Sequence, residues 1–338
     1  MNGDVLTCGH RGNGKAFLAR YDSDFILIWE QTYQFGTGPT ELYDVVEAAN
    51  GNLVAVGACE GWQQGMPKRG FVLHTDDVGL PFNSAPIFVS SQKGELAAID
   101  RGLNGNGFVL IELLDIPFFH ESWVHKLDDS LNLDWSQQCD GLGQMTELYD
   151  VLTVDGQGYF LTGTTGIEFS NHQISYWKLN AAGGIDWEKT FVTDSVSDKA
   201  NVGYALGWDG AVDRLVLGGT IYTDTVSGND YCLMTINPND GAITQTQITP
   251  LPLDAAILEL TVDQNGDIYT AGFQRGGFSG LQFFSDAVFT QFYRNYNQIG
   301  TQVWRDYSAF NDAWAIEGLA LNPSNSGCYY CCLLYTSD

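Results

Sequence analysis

YWKLNAAGGIDWEKTF, Tyr176 to Phe191, is a passage that this chain repeats. Two short alternating runs flank a turn built from Asn180, Gly183 and Gly184. Apolar–polar alternation has the period of a β-strand, and Asn with Gly supplies the backbone freedom of a tight turn. Trp187 follows Asn180 by seven positions. The same spacing links Asp22 to Trp29, Asp128 to Trp135 and Asn297 to Trp304. A hairpin with a fixed Trp is therefore being reused along the chain.

A second signal runs in phase with the first. Asn2-Gly3, Asn50-Gly51, Asn104-Gly105, Asp155-Gly156, Asp209-Gly210 and Asn265-Gly266 recur at steps of 48, 54, 51, 54 and 56 residues. Each lies between alternating runs, as hairpin turns do. The hexapeptide TELYDV occurs at Thr40–Val45 and again at Thr146–Val151, 106 residues on. One period accommodates four strands: in the fourth unit 147–155, 158–164, 174–180 and 185–191, and in the second 41–49, 52–58, 70–76 and a strand near 85–90. All-β units of about 50 residues predict a β-propeller of four-stranded blades, since stacked blades bury the faces that one blade cannot. The recurring Trp fits as a wedge between blades, its indole N–H needing an acceptor.

The count gives six blades. Strands within 4–33 begin a first blade, five units follow, and a strand at about 313–321 is placed to complete that first blade. Residues 1–331 are then one propeller. The terminal CLLYTSD, Cys332 to Asp338, is unlike the repeats and reads as translated library-adapter sequence, the alternative being a genuine apolar last strand. If sequence is missing at the ends, the full ring holds seven or eight blades. Arg275 to Asp286, rich in Gly and Phe, reads as an extra loop on one face.

The units resemble the repeats of secreted bacterial β-propellers that often end in a type IX sorting domain. Their pattern, K-x-D-x-x-G-x-x-x-W-x-x-x-Y/F followed later by D/N-G and V-A-G, is matched here by Lys178, Asn180, Gly183, Trp187 and Phe191, and by Asn50, Gly51, Val56 and Gly57. The resemblance covers nearly the whole chain, although neither a leader nor a sorting domain is seen. It implies export and display at the cell surface, and its motifs specify fold more than activity.

Composition narrows the ligand. Forty-one acids against 15 Lys and Arg give a net charge of −26. Such a surface repels phosphate backbones, so no nucleic-acid partner is expected, and anionic membranes are disfavoured. No run of 18 apolar residues spans a membrane. The charge fits solubility in salty surroundings, or cation binding. The seven Cys are scattered and form no disulfide framework. A monomer is expected.

Motifs that carry chemistry elsewhere fail here on their context. Gly9 to Lys15 fits G-x-x-x-x-G-K, but Ala16 replaces the hydroxyl residue and a strand follows where a helix is needed. His120 and His125 are five apart, which on one strand sends them to opposite faces. Cys328 and Cys331 are half of a zinc site, and Asp263 to Asp267 has the oxygen spacing of a calcium loop without its glycine position. No metal site is assigned and no cofactor is expected, calcium being the ion left open.

The acids that recur in phase are Glu41, Asp44, Glu147 and Asp150, at the start of the strand that becomes innermost in a propeller. They are candidates for a ring at the channel mouth that binds a sugar or a cation. The alternative is that Asp44 and Asp150 bond a neighbouring blade's backbone. The function expected is a non-catalytic binding or scaffold propeller for a carbohydrate, cation or protein ligand. The alternative is a propeller enzyme such as a glycosidase, lyase or quinone-dependent dehydrogenase.

Overall fold

A computed structural model describes the backbone of residues 4–62, 67–90, 92–116, 119–140, 145–167, 170–192, 201–223, 228–250, 254–279, 282–304, 313–321 and 328–335. The chain is a six-bladed, all-β propeller, and its helix among the described residues is the short 3-10 turn Leu103–Gly105. The first sheet holds β1 (Val5–His10), β2 (Ala16–Tyr21) and β3 (Leu27–Tyr33); the second β4 (Thr40–Glu47), β5 (Leu53–Cys59) and β6 (Arg69–Thr75). The third runs β7 (Gly94–Arg101), β8 (Phe108–Ile116), β9 (Phe119–Leu127) and β10 (Leu133–Cys139). The fourth holds β11 (Met145–Val154), β12 (Gly158–Ile167), β13 (Ser170–Leu179) and β14 (Ile185–Phe191). The fifth is β15 (Val202–Asp209), β16 (Arg214–Tyr222), β17 (Asn229–Ile236) and β18 (Ile243–Thr249). The sixth contains β19 (Ala255–Val262), β20 (Ile268–Ser279), β21 (Gln282–Phe292), β22 (Gln298–Trp304), β23 (Ala313–Leu321) and β24 (Cys328–Tyr335). By contacts the chain divides into two compact units, 1–161 with 179–186, and 162–178 with 187–338.

Three local expectations change. The strand near 85–90 is reduced to the single bridges Val72↔Ile87 and Thr75↔Pro81. Pro81 and Pro86 lack the N–H groups a ladder needs. In place of the extra loop expected over Arg275 to Asp286, β20 and β21 continue as strands, paired from Ile268↔Phe292 to Ser279↔Gln282. The strand at 313–321 pairs antiparallel with β24 along its length and touches β21 at Ser285↔Ala313. A hairpin between close neighbours in sequence closes a far shorter loop than a return to β1. The suspect Cys332 to Tyr335 forms part of β24.

Burial follows position in the blade. All seven residues of β5 are buried. Leu53 and Ala55 face a cluster with Leu18, Leu42 and Phe71, while Val54 and Val56 face one with Leu96, Ile99 and Leu110. A second strand is thus covered on both faces and reads as a continuous apolar run. The outer strands β3, β10, β14 and β18 keep exposed residues throughout.

The Asp or Asn, the Gly and the Trp of the repeat motif each have a structural meaning. The Asp or Asn seven before Trp staples the hairpin: Asp128 Oδ1 accepts the N–H groups of Ser130 and Asn132, both at 2.8 Å, and Asn180 Oδ1 accepts those of Ala182 and Gly184. The motif Gly receives the Trp of the preceding blade. A Cβ on Gly183 would lie 2.7 Å from the Trp135 ring, and one on Gly241 3.0 Å from Trp187. Both glycines also have positive φ. Trp187 donates its indole N–H to the Pro238 carbonyl at 3.2 Å. The Trp is therefore the expected wedge, seated on the next blade's turn.

Candidate functional site

The first strands of four blades, β4, β7, β15 and β19, carry a bulge at one recurring place. The register breaks between Leu42 and Asp44, Leu96 and Ala98, Gly203 and Ala205, and Ile257 and Glu259. The residues bulged out are Tyr43, Ala97, Tyr204 and Leu258. Bulges re-aim side chains. Opposite the bulge stand Gly57, Gly219 and Gly272, the Gly of the V-A-G strand. A Cβ there would lie 2.0–2.1 Å from the carbonyl oxygen of Glu41, Val202 or Ala256.

Two positions before the bulge lie Glu41 in β4 and Glu95 in β7, with Glu147 at the matching place in β11. First strands pack side by side, β4 on β7 and β7 on β11. Lys68 binds Glu95 at 2.6 Å and Glu41 at 3.4 Å. It also donates to the Tyr43 hydroxyl at 2.8 Å, and Tyr43 donates to Glu41 at 2.5 Å. Glu147 accepts a hydrogen bond from the Tyr149 hydroxyl. Burial pushes the Glu41 carboxyl up, but the hydrogen bond from Tyr43 and the charge of Lys68 outweigh it, so its pKa falls below the usual value. Burial and the two carboxylates push the Tyr43 phenol far above its usual range. The result is a half-exposed acidic rim with tyrosine hydroxyls and one ammonium.

Asp44 has a different fate. Its carboxylate accepts its own Val45 N–H at 2.7 Å and the Ile99 N–H of the next blade at 2.9 Å. Its pKa is raised to about 7, because burial outweighs the pull of the two N–H groups and Asp100 adds to it. Asp100 repeats the device, accepting from Arg101 and from Thr153 of β11, both at 2.7 Å. Asp44 is therefore a clasp between blades. Asp150 occupies the same place in β11 and is half-buried. Of the four sequence candidates, Glu41 and Glu147 stand on the rim. Sequence reading missed Tyr43, Lys68 and Glu95. The signal for Glu95 was its position, 54 residues after Glu41, in a stretch that otherwise departs from TELYDV.

The second unit carries a groove of about 530 Å³ lined by Arg214, Gln245, Asp267, Tyr293, Arg294 and Asn295. Asp209, 1% exposed, is held by Arg294 through two bonds of 2.8 and 3.1 Å and by Arg214 at 3.0 Å. The two guanidiniums thus bolt turns of neighbouring blades through one buried carboxylate. Asp263 Oδ1 accepts the N–H groups of Asn265 and Asp267, so the calcium-like stretch is a hairpin staple.

No protein-family model and no curated protein matches the sequence. Among solved structures, the chain is similar to the crystal structure of polysaccharide lyase Uly1, with a TM-score of 0.59 at 10% identity, covering 100% of this chain and 86% of that one. It is also similar to the Penicillium chrysogenum alpha-L-arabinanase complexed with arabinobiose, with a TM-score of 0.52 at 9% identity, covering 85% and 81%. At such identities the likeness establishes the propeller fold.

Proposed function

We propose that the chain is a binding propeller, exported and displayed as its repeats imply, whose rim of Glu41, Glu95 and Glu147 holds a carbohydrate and is non-catalytic toward it. One observation carries this reading: the rim carboxylates are not required by the fold. In β15 and β19 the same bulged backbone carries Val202 and Ala256 at the matching position. Ionised carboxylates accept sugar hydroxyls, and half-exposed tyrosines offer faces and hydroxyls to a pyranose ring. The Lys68 ammonium already sits between Glu41 and Glu95, where a bound cation would otherwise be needed.

The enzyme reading is second. The lyase and the arabinanase of similar fold leave it open. Against it stands Tyr43, the obvious base on the rim: its phenol is held protonated by burial and by two carboxylates, the reverse of what proton abstraction near neutral pH needs. The test is calorimetric titration of the full chain with soluble oligosaccharides chosen on a glycan array. Saturable binding that falls about tenfold in Glu41→Gln/Glu95→Gln supports the reading. Binding of calcium alone, or cleavage of the sugar, replaces it with the cation or the enzyme reading.

A further inference from the structure

Blade 3 breaks the repeat at two adjoining positions. Where Gly57, Gly219 and Gly272 oppose the bulge, β8 has Glu112, paired with Leu96. Where the third strands of blades 2 and 5 have Leu73 and Met234, β9 has His125. Opposite His125 on β10 stands Ser136. Glu112 and His125 are buried, their side chains 2% and 7% exposed, while Ser136 is exposed.

The three groups form a connected chain. His125 Nε2 is 3.0 Å from Glu112 Oε2, and His125 Nδ1 is 2.8 Å from Ser136 Oγ. Ser90 donates to the other Glu112 oxygen at 2.5 Å. The Trp123 ring stacks parallel to the imidazole, 8° off, with centroids 6.4 Å apart. A carboxylate that accepts from Nε2–H fixes the tautomer in which Nδ1 is the base. That base then accepts the Ser136 hydroxyl proton. A nucleophile bonded to a base that is oriented by a buried acid is the arrangement that activates a serine.

We infer that Ser136 is an activated nucleophile that accepts acyl groups from carboxylic esters, with His125 as general base and Glu112 as its positioning residue. Ser136 Oγ attacks the ester carbonyl carbon as its proton passes to His125 Nδ1. The bond from that carbon to the leaving oxygen breaks, and the leaving oxygen keeps the electron pair, takes the proton back from His125 Nδ1 and departs as the alcohol. Water then attacks the acyl carbon, His125 takes its proton and returns one to Ser136 Oγ, and the carboxylic acid departs. The proposal does not rest on the glycan reading, and its readout is separate.

The experiment treats the full chain with p-nitrophenyl acetate and maps acetylation by mass spectrometry against time and pH. Ser136 is expected to acetylate about 10²-fold faster than the exposed Ser130 of the same blade, with a rate that rises through one ionisation. Ser136→Ala abolishes the fast site, and Glu112→Gln slows it and moves the ionisation. Equal rates at Ser136 and Ser130 overturn the proposal, and so does a folded Glu112→Gln with unchanged rate and pH profile. The Ser136 to Ser130 ratio is read in the unaltered chain, so it decides the matter even if Glu112→Gln fails to fold.

Discussion

The first strands of the two units share a backbone and differ in chemistry. In the first unit the position two before the bulge is Glu41 or Glu95; in the second it is Val202 or Ala256, both buried. The bulge and its glycine partner are kept in both, at Gly57, Gly219 and Gly272. What both units keep serves the fold, and what one unit alone carries is available for a ligand. Glu41 and Asp44 show the same division within a single strand. One stays charged beside Lys68, while the other is enclosed against the next blade.

The largest effect is expected where the units agree. Gly57→Val and Gly219→Val place a side chain against a carbonyl oxygen only 2.0–2.1 Å from the Cβ position. Each should cost about 3 kcal/mol or more, read by urea unfolding. Tolerance in one unit but not the other would break the claim of a shared plan. Next is pH. Asp44 has a folded pKa of about 7 against a usual value of 3.8. A raised carboxyl pKa gives stability that is complete below the unfolded value and is lost as pH rises through the folded one. Stability should therefore fall between about pH 4 and 7 by a few kcal/mol. Asp100, raised first by burial, adds in the same direction. Asp44→Asn keeps an acceptor and should flatten that slope, followed by thermal unfolding at stepped pH.

A smaller loss is expected at the wedge. Gly183→Ala puts a methyl 2.7 Å from the Trp135 ring at a φ of +85°. The cost should be about 1–2 kcal/mol, since left-handed backbone and a ring shift add. The smallest effect belongs to the rim. Glu41→Gln should change stability by less than about 1 kcal/mol, because a half-exposed ion pair contributes little. A larger loss would return the rim to the fold and remove the argument for a ligand.

The fold was legible because its rules are local and repeated. The Asn180–Trp187 spacing and the Asn-Gly turns recur in phase, and each reports a hairpin. That the motif Gly meets the Trp of another blade was not legible, since Gly183 and Trp135 lie far apart in sequence. The site was half legible. TELYDV, repeated twice, marked Glu41 and Glu147. Glu95 escaped because Ala97 and Ala98 replace Tyr and Asp around it, and Lys68 because it reaches the rim from another strand. The Glu112–His125–Ser136 chain crosses three strands, and only the ladder register aligns it.

Hydrogen–deuterium exchange with and without a saturating oligosaccharide tests the central claim most directly. Protection should appear in the first strands β4, β7 and β11 around Glu41, Glu95 and Glu147, and leave β15 and β19 unchanged. Protection confined to β15 and β19, or to the groove at Arg214 and Arg294, would contradict it.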